Sequence, residues 1–245
     1  MERITSDSTS NLIAKLELYT PSGSIKDRVV EHMLTCAEYR GEVSPGDTLI
    51  EATTGNMGIA LALASLKKRY HTVLVIPPDV PKEMRSTMTA FGAELISVSE
   101  PSGMETARGL VRELEQQGVG KVLDQFSRQD NPDIHYRTTG PELWSDSEGS
   151  LTHFICCMGT TGTIVGVGKY LKEKDPNIQV IGVRPIQGAA ILGLQNWSMG
   201  WEPQISDPSI VDDIIEVTPE LAEETAYRMI SEEGLFVGIS SGAAI

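Results

Sequence analysis

Residues Thr48–Lys68 have the sequence TLIEATTGNMGIALALASLKK, and this stretch decides the fold class of the chain. It begins with a short apolar run, passes through a polar turn that contains glycine, and ends in a long apolar helical pattern. Short, continuous apolar strands are typical of sheets that are covered on both faces. A strand that leads straight into a helix therefore predicts a parallel α/β unit.

The same alternation of strand and helix continues along the rest of the chain, so the predicted class is α/β with right-handed crossovers between parallel strands. Strands are predicted at Asn11–Leu18, Thr48–Glu51, Thr72–Ile76, Glu94–Val98, Lys121–Leu123, His153–Met158 and Gln179–Val183. Helices are predicted at 26–40, 56–68, 82–91, 103–117, 131–145, 162–174 and 219–233.

The composition of the chain disfavours several classes of binding partner. The chain has 245 residues and a net charge of −14, which disfavours nucleic acid and anionic membrane as partners, although one pocket can still be positive. No apolar run reaches the roughly 18 residues of a membrane span. The three cysteines, two of them adjacent at Cys156 and Cys157, are best explained as buried thiols rather than a metal or redox element. We expect a cytoplasmic protein without metal.

The turn Thr20–Arg28, TPSGSIKDR, places a lysine where a helix begins. Ser24 is the predicted N-cap and Lys26 lies in the first turn. The helix dipole disfavours a cation there by about 0.3–1 kcal/mol, and the same field favours the neutral amine that forms a Schiff base. An ordinary solvated lysine is the simpler alternative.

Two further loops join a strand to a helix with glycines and threonines. Thr53–Gly58 would form an oxyanion cradle, unless Thr53 or Thr54 only caps the helix. Met158–Thr163 would bind a phosphate dianion, unless it is only a tight turn. Neither loop matches G-x-x-x-x-G-K-[S/T] or G-x-G-x-x-G, which argues against the common nucleotide sites. A lysine, an oxyanion cradle and a phosphate loop together suit pyridoxal phosphate (PLP).

Four ordered segments resemble motifs of the PLP-dependent cysteine synthase and cystathionine β-synthase family, within the tryptophan-synthase-β superfamily of fold-type II enzymes. They are PSGSIKDR at 21–28, EATTGNMG at 51–58, GTTGT at 159–163 and GISSGAA at 238–244. The resemblance implies that Lys26 forms the internal aldimine and later moves protons. It assigns cofactor binding to Lys26, Asn56, Gly159, Thr160, Thr161, Gly162, Thr163 and Ser240, and substrate binding to Thr53, Thr54, Gly55, Asn56, Met57 and Gln125.

The resemblance also implies an architecture and a reaction. It predicts two parallel-sheet domains: a larger, discontinuous PLP-binding domain at 1–30 and 129–245, and a smaller mobile domain at 31–128. The implied reaction is β-replacement of the acetoxy group of O-acetyl-L-serine by sulfide or thiosulfate, through an aminoacrylate, in a homodimer. Leu123–Phe126, the second threonine of GTTGT and the Trp197–Trp201 region resemble the cysteine synthase B branch.

The chain departs from the family pattern in three places. Met57 stands where the family has threonine, and losing that hydroxyl would weaken carboxylate binding by about 1.5–3 kcal/mol. Both ends are also expected to be truncated relative to the family. The alternatives left open are a cystathionine β-synthase-like enzyme, a serine/threonine deaminase-like enzyme, a catalytically weak PLP-binding fragment and a cofactor-free α/β binding module.

Overall fold

The structure, a computed structural model, describes residues 1, 4, 11–99, 103–197 and 202–245. The chain forms two compact units: Met1–Leu16 with Asn131–Ile245, and Glu17–Asp130. Each unit contains a parallel sheet, so the predicted α/β class is confirmed. The predicted domain bounds, 1–30 with 129–245 and 31–128, remain a prediction, because compactness alone does not show which unit holds a cofactor.

The unit Glu17–Asp130 is built on a four-stranded parallel sheet with the strand order β3-β2-β1-β4. The central strand β1 pairs with β2 at Ile50–Val73 and with β4 at Ile50–Val122. Apolar side chains of β1, β2 and α4 form a buried core on one side of the sheet. Its elements are α1 (Lys26–Tyr39), β1 (Thr48–Ala52), α2 (Asn56–Lys68), β2 (His71–Ile76), α3 (Lys82–Ala90), β3 (Glu94–Ser97), α4 (Met104–Gln116) and β4 (Lys121–Val122).

The other unit is built on a three-stranded parallel sheet with the order β5-β6-β7. Helix α7 packs its buried face, Ile164 and Val165 included, against the core of this sheet. Its elements are α5 (Asp130–Ile134), a π-helix (His135–Thr139), α6 (Gly140–Asp146), β5 (His153–Cys157), α7 (Gly162–Lys174), β6 (Gln179–Pro185), a 3-10 helix (Pro208–Ile210), β7 (Asp213–Val217), α8 (Pro219–Glu233) and α9 (Ile239–Ala244).

Three expectations need correction. The predicted strand at Asn11–Leu18 is wrong, because no described segment pairs with it and an extended segment becomes a strand only through its ladder partner. The predicted helix at 131–145 is interrupted by the π-helix at 135–139. Strand β7 was not predicted. Its sequence, DIIEV, shows neither a continuous apolar run nor a strict alternation of polar and apolar residues.

No helix within the described ranges is long and apolar enough to cross a membrane.

Candidate active site

The turn that precedes α1 is held by a dense set of local hydrogen bonds. The Thr20 hydroxyl donates to the Ser24 carbonyl oxygen and accepts from the Ser24 N–H, both at 3.0 Å. The Lys26 N–H donates to Ser24 Oγ at 3.3 Å, and the Ser22 N–H donates to Asp27 Oδ2 at 2.9 Å. The helix begins at Lys26, so this half-buried lysine lies in the first turn as predicted, although Ile25 rather than Ser24 occupies the N-cap.

The loop after β1, which we call the carboxylate loop (Thr53–Met57), is stabilised by its own first side chain. Thr53 Oγ1 accepts the N–H groups of Gly55 at 3.1 Å and Gly58 at 3.2 Å. Thr53 is only 2% exposed, whereas Thr54 is half-buried and Asn56 is exposed. Gly55 rather than Thr53 or Thr54 occupies the N-cap of α2, and the Thr53 hydroxyl stabilises the loop and the first helical turn by accepting these two N–H groups.

Beside this loop, a buried carboxylate joins the ends of two neighbouring strands. Glu51 is 3% exposed, and its Oε2 accepts the Asp124 N–H at 3.2 Å. The side chain of Gln125, 4% exposed, also bonds to Glu51. Burial raises the pKa of Glu51 to about 8, and the nearby negative charge of Asp124 adds to the shift. Glu51 thus holds the predicted substrate-binding residue Gln125 next to the carboxylate loop.

The loop after β5, which we call the phosphate loop (Gly159–Thr163), carries an unusual backbone conformation. Thr161 has φ 69°, a left-handed value that is a genuine outlier for a β-branched residue. Its side chain is buried, and Thr161 Oγ1 has no hydrogen-bond partner among the described residues. Strain and an unsatisfied hydroxyl at the start of a long helix are features that a bound anion would explain.

Two side chains to which the sequence analysis assigned no role support this loop. Asn131 Nδ2 donates to Thr160 Oγ1 at 3.1 Å, and His135 Nε2 lies 3.2 Å from Thr163 Oγ1. Both residues are 0% exposed. In the sequence, Asn131 and His135 lie only within the predicted helix at 131–145, and that pattern assigns no role to either side chain.

Gly159, the first residue of the loop, and Ser240, another predicted cofactor-binding residue, each accept a hydrogen bond from a side chain elsewhere in the same unit. Trp197 Nε1 donates to the Gly159 carbonyl oxygen at 2.9 Å. The Cys157 thiol donates to the carbonyl oxygen of Ser240 at 3.1 Å and so ties β5 to α9. Burial raises the pKa of Cys157, so it stays a neutral donor. Trp201 lies outside the described residues.

The predicted residues thus form two sets, one in each unit. Lys26, Thr53–Met57 and Gln125 belong to the unit Glu17–Asp130, and Gly159–Thr163 and Ser240 belong to the other. The phosphate loop fits a phosphate group, because it offers a buried unpartnered hydroxyl, helix-start N–H groups and glycines. In the part of the chain that is described, no cluster of three or more His, Cys, Asp or Glu side chains is arranged to hold a metal.

Comparison with known proteins agrees with this chemistry. The chain is 49% identical to cysteine synthase B of Pseudomonas aeruginosa over 245 residues, which cover 100% of this chain and 82% of that protein. It is 44% identical to cysteine synthase B of Salmonella typhimurium, covering 100% of this chain and 81% of that one. Among solved structures, O-ureido-L-serine synthase aligns with a TM-score of 0.89 at 33% identity, covering 94% of this chain and 75% of that chain.

Residues 1–245 match the family described as "Pyridoxal-phosphate dependent enzyme". A match over the whole chain, together with a lysine at a helix start and a strained loop suited to phosphate, leads to one conclusion: this chain belongs to the pyridoxal-phosphate dependent enzyme family.

Proposed function

We propose that the protein is a cysteine synthase that replaces the acetoxy group of O-acetyl-L-serine with sulfide. The observation that carries the proposal is the 49% identity, over the full chain, to a protein named cysteine synthase B. The phosphate loop also supports the proposal, since its strained Thr161 carries a buried hydroxyl with no hydrogen-bond partner among the described residues at the start of α7.

The cofactor's place is supported by the phosphate loop and α9. Gly159, Thr160, Thr161, Gly162 and Thr163 would hold the phosphate of PLP through N–H groups and hydroxyls. The Ser240 hydroxyl would partner the pyridine nitrogen, and a neutral hydroxyl does not stabilise a full pyridinium. When bound, PLP supplies the electron-withdrawing ring that makes the α-proton of an amino acid acidic.

The residues of the other unit would bind the amino acid and move its proton. Thr53, Thr54, Gly55, Asn56, Met57 and Gln125 would surround the substrate carboxylate. Lys26 Nζ would hold PLP covalently in the resting enzyme, and its released amine would take the α-proton of the substrate. Loss of that proton would let acetate leave from Cβ. Sulfide would then form the new C–S bond at Cβ, and the Lys26 ammonium would return the proton to Cα.

The same proposal places the enzyme in the cytoplasm as a homodimer of the cysteine synthase B branch, with thiosulfate as a second sulfur donor. The absence of a disulfide at Cys36, Cys156 and Cys157, which all lie within the described residues, supports a reducing compartment. The names of two similar proteins, both cysteine synthase B, support the assignment of this chain to the cysteine synthase B branch.

The proposal is tested by spectroscopy and product analysis on the protein reconstituted with PLP. We expect a visible absorption band of bound PLP that shifts when O-acetylserine is added, and cysteine as the product when sulfide follows. Lys26→Ala should lose the borohydride-reducible adduct and about 1,000-fold or more of the activity. Lys67→Ala, which changes an exposed lysine of the same unit, is the matched control.

Other outcomes would contradict either the assignment of the site or the proposed reaction. A reducible adduct mapped to a lysine other than Lys26 would contradict the assignment of the site. Product formed only with homocysteine, or pyruvate formed without any sulfur donor, would replace the cysteine synthase reaction with cystathionine β-synthase-like or deaminase-like chemistry on the same residues. A bound cofactor without turnover of any of these substrates would leave a PLP-binding protein.

A further inference from the structure

The His135 side chain has no part in the reaction proposed above, yet it is completely buried at the base of the phosphate loop. It is the first residue of the π-helix His135–Thr139. Its Nδ1 lies 2.9 Å from Thr139 Oγ1, and its Nε2 lies 3.2 Å from Thr163 Oγ1. The imidazole therefore bridges a hydroxyl of its own helix and a hydroxyl of the phosphate loop.

Close packing fixes this geometry. A Cβ at Gly166 would collide with the Pro132 carbonyl oxygen and would come within 2.8 Å of His135 Cβ. A Cβ at Gly162 would collide with the Asn131 side chain. The two glycines thus let α7 approach the segment Asn131–Thr139 more closely than any other residue type allows. Single-turn π-helices recur at functional sites, and this one sets the spacing between His135 and Thr139.

The two hydrogen bonds of His135 are coupled by its tautomer, since a neutral imidazole has one N–H donor and one acceptor nitrogen. If Nδ1 accepts the Thr139 hydroxyl proton, Nε2–H donates to Thr163 Oγ1, and the Thr163 hydroxyl proton is free to donate elsewhere. In the other tautomer Thr163 donates to Nε2 and turns only lone pairs toward its other neighbours. A phosphate dianion accepts hydrogen bonds, so it favours the first arrangement.

We propose that His135 is a positioning residue of the phosphate loop: as the Nε2–H tautomer it donates to Thr163 and thereby aims the Thr163 hydroxyl proton at the cofactor phosphate. Thr139 fixes the tautomer by donating to Nδ1. This role deepens the proposed function and rests on it, because it takes Gly159–Thr163 as the phosphate site.

The direct test is nitrogen-15 NMR of the PLP-loaded protein with labelled histidine. The protein has four histidines, and His32→Gln, His71→Gln and His153→Gln identify the remaining His135 signals without altering the site. We expect a protonated Nε2 and an unprotonated Nδ1. The Nδ1–H tautomer, or a doubly protonated ring, would overturn the proposal. A purely structural role for His135 does not require either tautomer.

Binding measurements provide the second test. His135→Phe keeps a buried ring but removes both nitrogens, and we expect the dissociation constants of PLP and of inorganic phosphate to rise roughly 10-fold, as for the loss of one hydrogen bond to a charged group. Tyr136→Phe is the matched control. It removes a hydrogen bond of the same π-helix, from Tyr136 Oη to Glu173 Oε2 at 2.7 Å, and should leave both constants unchanged.

The effect should also depend on Thr163. In a Thr163→Val background, His135→Phe is expected to cause no further loss of phosphate affinity, because the hydroxyl through which it acts is gone. Two results would overturn the role of His135 but leave the proposed function standing. One is an equal affinity of His135→Phe and Tyr136→Phe for PLP and phosphate. The other is an equally large effect of His135→Phe in the Thr163→Val background. A wild-type protein that binds neither PLP nor phosphate would instead overturn the proposed function.

Discussion

The carboxylate loop and the phosphate loop have the same plan, but only the phosphate loop is also held by side chains from a distant segment of the chain. Each follows a parallel strand, the buried β1 or the partly exposed β5, and each leads into a helix of 13 residues, α2 or α7. In the carboxylate loop, Thr53 Oγ1 accepts two N–H groups of the loop's own backbone. In the phosphate loop, Thr160 Oγ1 accepts the Gly162 N–H of its own loop at 3.4 Å. The hydroxyls of Thr160 and Thr163 are also held by Asn131 and His135, which lie about 28 residues earlier in the chain.

This difference shows where each loop obtains its rigidity. The carboxylate loop is closed by local contacts, so an exposed Asn56 and a half-buried Thr54 are left to face a ligand. The phosphate loop retains a strained Thr161 with an unpartnered hydroxyl, and it depends on a second segment to orient its other hydroxyls. A loop that binds a permanent cofactor tolerates such strain, because the bound group offsets it.

The largest expected effect concerns Glu51, which ties the carboxylate loop to Gln125. Its pKa is raised from an ordinary 4.5 to about 8 by burial, so the folded state holds a proton that the unfolded state loses above about pH 4.5. The free energy of unfolding should therefore fall as pH rises from about 4.5 to about 8. Glu51→Gln keeps an acceptor for the Asp124 N–H and should remove this fall, a change on the order of a few kcal/mol.

The measurement is urea unfolding across that pH range for wild type and variant. Glu94→Gln, which changes an exposed glutamate of β3, should retain the wild-type slope. An identical slope in Glu51→Gln would show that Glu51 ionises normally in the folded protein, and the carboxylate loop would then lack its buried neutral support.

The next effect concerns Met57, which is only 3% exposed at the start of α2. If the carboxylate loop is short of a hydroxyl, Met57→Thr should raise kcat/KM for O-acetylserine roughly 10- to 100-fold, the equivalent of one charge-assisted hydrogen bond. Met57→Leu conserves the buried volume without adding a hydroxyl and should leave kcat/KM unchanged. Equal values for all three proteins would mean that backbone N–H groups bind the carboxylate and that Met57 only packs.

The smallest effect concerns the strain at Thr161. Thr161→Gly and Thr161→Ala both remove the buried hydroxyl, but only glycine adopts φ 69° without a Cβ penalty. We expect the glycine variant to exceed the alanine variant in free energy of unfolding by about 1 kcal/mol, measured without PLP. If the alanine variant is as stable as the glycine variant, the phosphate loop is no more strained than the carboxylate loop.

Much of the fold followed from local pattern. The helices at 56–68, 162–174 and 219–233 begin and end at the predicted residues, because their apolar periodicity and the glycine or threonine at each start are strong local signals. The failures lie where pairing decides the outcome. Asn11–Leu18 has strand composition without a ladder partner, and β7 forms a strand only because β6 pairs with it.

In the candidate site, too, local sequence predicts some features and long-range packing decides the others. The residue types and spacing of PSGSIKDR, TTGNM and GTTGT predicted pyridoxal phosphate as the cofactor, since that chemistry needs an amine, N–H groups and hydroxyls at helix starts, and the family match confirms the cofactor. The roles of the individual residues in these segments stay predictions. Tertiary structure alone decided which side chains orient those groups. Asn131 and His135 reach the phosphate loop, and Glu51 reaches Asp124 and Gln125, through packing between segments far apart in sequence, which no local pattern encodes.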